Sequence, residues 1–89
     1  MDRALVCIIL TSVAENNPSG IQHGEPAQVV AWLTQRIRIA RPDKGGGTVY
    51  NPEMATAARA AEEAFALFSR GEVEAAKPLA LEALSKLGG

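Results

Sequence analysis

NPEMATAARAAEEAFALFSRGEVEAAKPLALEALSKL, residues 51–87, decides the reading of this chain: a helix, a Gly-centred turn and a second helix. Asn51 is placed to cap the first free N–H groups. Pro52 loses nothing at the first helical position, and Glu53 suits the positive end of the helix dipole. Met54, Ala57, Ala58, Ala61, Ala64, Phe65 and Phe68 then recur at three- and four-residue steps and fall on one face. Thr56, Arg59, Glu62, Glu63, Ser69 and Arg70 fall on the other. Phe65 and Phe68 are the expected core anchors. Gly71 supplies a turn conformation that other residues adopt with difficulty. A second stripe follows at Val73, Ala76, Ala80, Ala83, Leu84 and Leu87, its alanines letting two helix backbones come close, and Gly88-Gly89 is a natural stop. Pro78 falls inside this second helix; a regular start only near Lys77 would move it into a first turn, where proline is tolerated.

The spacing of Ala64, Leu67, Gly71, Ala76, Ala80 and Ala83 resembles the small and apolar signature positions of a tetratricopeptide repeat. The run Gly71-Glu72-Val73-Glu74-Ala75-Ala76 resembles that repeat's inter-helix turn. The resemblance covers about one repeat, the C-terminal third. The chain departs from the pattern at Ala60, where the repeat carries a large aromatic, and at Gly88-Gly89, where it carries a proline. The resemblance implies a hairpin that recognises other proteins. One such unit cannot bury its own apolar face, so the remaining chain or a second chain must cover it.

Length and composition set the frame for that covering. Eighty-nine residues, 47% hydrophobic and 21% charged, suit one domain with a core just large enough to fold unaided. Only 4% are aromatic, so the core must come from Ala, Leu, Val and Ile, and self-association would help it. A net charge of −1 gives no general attraction to nucleic acid or to an anionic membrane. Cys7 is the single cysteine, which excludes an internal disulfide and fits a reducing, cytoplasmic compartment. The apolar run from Ala4 to Leu10 lacks a good cleavage site for a secretory signal and is too short to span a bilayer.

Residues 2–15 suit either a helix capped by Asp2 or a buried strand. Leu5 to Leu10 and Val13 would point to every side of a helix, and their β-branched density suits a strand equally. Helix is favoured because little else offers a strand partner. Asn16 to Gly20 are turn formers. His23, the only histidine, has no catalytic or metal-ligating companion nearby and reads as a solvated loop residue. A second helix is expected over 26–40, opened by Pro26 and closed by Arg41-Pro42. Val29, Val30, Leu33, Ile37 and Ala40 form its core stripe, with Trp32 and Ile39 as a separate apolar ridge.

Arg36, Arg38, Arg41 and Lys44 lead into Gly45-Gly46-Gly47, a possible anion-binding cluster with Tyr50 as its stacking group. It is not a Walker-type loop, in which the lysine follows the glycines and opens a helix.

The sequence therefore reads as an all-α domain of four helices, 2–15, 26–40, 52–70 and 72–87, joined by flexible loops at 16–25 and 41–50 and ending in an antiparallel helical hairpin. The expected role is non-enzymatic: an adaptor, chaperone-like or regulatory module. It would meet a protein partner, or further copies of itself, through Trp32, Ile39, Leu79 and Leu81. No catalytic constellation, cofactor or metal site is read. The alternative is an RNA- or phosphate-binding protein using the basic, Gly-rich segment 36–50.

Overall fold

The computed structural model describes residues 1–40 and 47–87, leaving out the side chains of Ile39, Ala40 and Thr48. The chain is an all-α, four-helix domain: α1 (Arg3–Ala14), α2 (Glu25–Gln35), α3 (Pro52–Ser69) and α4 (Val73–Lys86). A short ribbon of two strands, β1 (Arg38–Ala40) and β2 (Thr48–Tyr50), separates α2 from α3.

The caps set these boundaries. Asp2 Oδ1 accepts from Leu5 N at 2.9 Å and starts α1. Asn51 Oδ1 accepts from Glu53 N and Met54 N at 3.1 and 3.3 Å and starts α3. At the end of α3, Glu72 N donates to Leu67 O at 2.9 Å and Gly71 N to Phe68 O at 3.1 Å, with Gly71 at φ +84°. This pair of bonds with a left-handed residue after the cap satisfies the last carbonyls. The same motif ends α1, with Asn16 at φ 53°: Asn17 N donates to Ser12 O at 2.8 Å and Asn16 N to Val13 O at 3.1 Å.

The α3–α4 hairpin is the centre of the domain, with α1 packed on α4 and α2 on α3. Small side chains face one another across it: Ala57, Ala61 and Ala64 from α3 and Ala76, Ala80 and Ala83 from α4 are fully buried. The bulk comes from the flanks. Val6, Ile9, Leu10 and Val13 of α1, Val29 and Leu33 of α2, and Leu87 are buried almost completely. At about 25 cal/mol per Å² of apolar area, these flanking residues carry much of the hydrophobic stabilisation that an alanine seam cannot supply. The apolar α1 thus resolves as a helix, open to solvent at Ile8.

One expectation is corrected. The second helix ends at Gln35, not Ala40, and residues 38–40 are a strand paired antiparallel with 48–50. Arg36-Ile37-Arg38-Ile39 alternates with period two, and Thr48-Val49-Tyr50 is an equally strand-prone run beyond the glycines; together they outweigh helical continuation. Helix α4 starts at Val73, in line with the expected span 72–87 rather than with a start near Lys77, and carries Pro78 inside it. Pro78 is exposed, so its ring meets water and the Glu74 carbonyl that loses its partner stays solvated. The anticipated cations Arg41 and Lys44, and Gly88-Gly89, lie outside the described residues.

Candidate binding surfaces

In the ribbon, Arg38 stands opposite Tyr50, residue 39 opposite Val49, and residue 40 opposite Thr48. Asn51 N donates to Ile37 O, which continues the ladder one step beyond the strands by a single bond, since Ile37 N turns back to Thr34 O. Antiparallel ladders alternate, so 39 and 49 bond to each other, while the backbone N–H and C=O of Arg38 and Tyr50 turn outward. The guanidinium of Arg38 lies over the Tyr50 ring at 5.7 Å from its centroid. Val49 and Tyr50 are 42% and 54% exposed. Among the described elements the ribbon's extensive contacts are between its own two strands, and the molecule is drawn out to 47 × 21 × 20 Å. Residues 36–50 hold Arg36, Arg38, Arg41 and Lys44 against Asp43 alone, a net +3, so the rest of a chain of net −1 carries −4.

A second arrangement lies on the last turns of α2. The guanidinium of Arg36 stacks on the Trp32 ring at 3.6 Å from its centroid, and its Nη1 donates to Trp32 O at 3.2 Å. The two residues are one helical turn apart and share a face. Beside them is an open cleft of about 330 Å³. A more apolar groove of about 290 Å³ has Phe65 and Phe68 as its floor and exposed His23 at its rim.

The expected helical ridge of Trp32 and Ile39 falls on two different elements. Trp32 is nine-tenths buried on α2, whereas Ile39 belongs to β1 and its side chain lies outside the described set. A helix that stops at Gln35 cannot hold the two in one seven-residue stripe. Leu79 is half-buried against the core, and Leu81 is 56% exposed on α4. Of the basic cluster, Arg36 and Arg38 are placed on different elements, each stacked on its own aromatic ring. The Trp32–Arg36 contact was legible as an i, i+4 pair, and the Arg38–Tyr50 contact only once the period-two run is read as strand.

Among the described residues no helix is long and apolar enough to cross a membrane. No family model, curated protein or solved structure matches the chain.

Proposed function

We propose that this protein is a non-enzymatic interaction module whose ribbon accepts an extended, acidic segment of a partner protein as an added strand. The observation that carries it is the ribbon itself, whose outward backbone groups at Arg38 and Tyr50 meet no described partner. A two-stranded ribbon alone is marginal in water, and a third strand supplies the hydrogen bonds and side-chain cover that it lacks. The net +3 of residues 36–50 selects an acidic segment and speeds its encounter. It also opposes pairing between the ribbons of two copies. The hairpin's resemblance to a tetratricopeptide repeat points to the same class of function.

A second reading rests on the Arg38–Tyr50 stack, since a cation on an aromatic ring within a basic stretch also suits single-stranded RNA. One experiment separates the two. The anisotropy of a labelled peptide alternating Glu and Val, of its Lys-for-Glu counterpart and of a labelled oligouridine is followed on titration with the protein. The acidic peptide is expected to bind and the other two are not. Tyr50→Pro and Arg38→Pro each delete one outward N–H, and at least one of them is expected to weaken peptide binding. Binding of the oligouridine alone would replace this reading with the RNA one.

A further inference from the structure

We infer that the cleft beside Trp32 and Arg36 binds a small ligand bearing one carboxylate on a compact apolar body. The guanidinium of Arg36 is held in place by its stack on the indole and by the bond from Nη1 to Trp32 O. Its other N–H groups have no carboxylate within ion-pair distance among the described residues. A stacked guanidinium is a pre-set fork, weakly hydrated, whose geometry matches the two oxygens of a carboxylate.

The neighbouring indole is short of an acceptor as well. Trp32 is only 9% exposed, yet its Nε1 is buried without a hydrogen-bond partner. Such an orphan costs roughly 1–3 kcal/mol, and buried Trp N–H groups ordinarily find one. The indole N–H is sealed from solvent, so the donors open to a ligand in the cleft are the remaining N–H groups of Arg36. A ligand carboxylate provides acceptors for them.

The rest of the lining agrees with that ligand. Gln28 and Gln35 lie on the same side of α2 as Trp32 and Arg36 and add amide donors, Ala31 and Met1 add apolar surface, and no lining side chain is acidic. The volume of about 330 Å³ has room for roughly ten non-hydrogen atoms, at about 30 Å³ for each water-sized unit. A phosphate dianion fits less well. Arg36 is the only cationic side chain in the lining, and it caps the C-terminus of α2, where the helix dipole opposes a dianion more than a monoanion.

Trp32 is the single tryptophan, so tryptophan fluorescence, excited selectively over that of Tyr50, reports on this site alone. The protein is titrated with hexanoate, with hexanamide and with inorganic phosphate. Hexanoate is expected to give a saturable spectral change and the neutral amide none. Arg36→Gln is expected to weaken hexanoate at least about tenfold, with Arg36→Lys between the two, because hydrogen bonds to charged groups are the strong ones. Circular dichroism shows whether each variant is folded. If Arg36→Gln is not, Gln35→Ala carries the test, with a loss of a few-fold expected. Equal responses to hexanoate and hexanamide, saturation by phosphate alone, an unsaturating drift, or full affinity in every folded variant would each overturn the assignment.

Discussion

Gly71 holds the turn of the hairpin at φ +84°, where a side chain costs roughly 1–2 kcal/mol. Nothing lies within 4 Å of a Cβ added there, so the penalty for Gly71→Ala is conformational rather than steric. We expect thermal melting to show a fall of several degrees, at roughly 4–8 °C per kcal/mol for a domain of this size. Phe65 is 8% exposed and anchors α3, whereas Phe68 is half-buried at the floor of the apolar groove. Phe65→Ala is therefore expected to cost about 3 kcal/mol, the lower end for a buried aromatic because one side already borders open space. Phe68→Ala should cost less. Urea denaturation of both variants checks the order, and the reverse order would contradict the burial. Gly71 and Phe65 were legible from turn chemistry and spacing alone; spacing did not separate Phe68, expected as a second anchor, from the fully buried positions. Ser12 was not legible: its buried hydroxyl donates to Ile8 O, and Gly20 approaches so closely that a Cβ there would meet it. That contact joins α1 to the following turn, which no local pattern encodes.

At the scale of elements, the helical hairpin was readable because cap, stripe and stop agreed in each helix. The end of α2 was not, because Arg41-Pro42 offered a plausible stop and hid the alternation at 36–39. The seven-residue step from Trp32 to Ile39 was arithmetically sound for a helix that the chain abandons at Gln35. For α1, apolar on every side, periodicity could not choose between helix and strand, and the choice came from packing on α4. The ribbon makes its own prediction. The N–H of Tyr50 points outward, so Tyr50→Pro should leave helix content and melting temperature within a few degrees of the parent. Unfolding of that variant would mean that the N–H is needed inside the domain and that the alternation is misplaced.

For the whole molecule, charge is divided between a segment of net +3 and a remainder of net −4. Pairing two ribbons would set like charges together. Sedimentation equilibrium at about 0.05 M salt should therefore find no ribbon-paired dimer, and added salt would weaken the repulsion. A stable dimer at low salt that dissociates on Arg38→Pro would reverse this conclusion and make a second copy the added strand. The central claim is that the ribbon is completed by an acidic strand. Amide hydrogen exchange tests it most directly, read at Arg38 and Tyr50 with and without the Glu-Val peptide. Slowed exchange at one or both, with the helix amides unchanged, is the predicted result; unchanged exchange at both under saturating peptide would contradict the account.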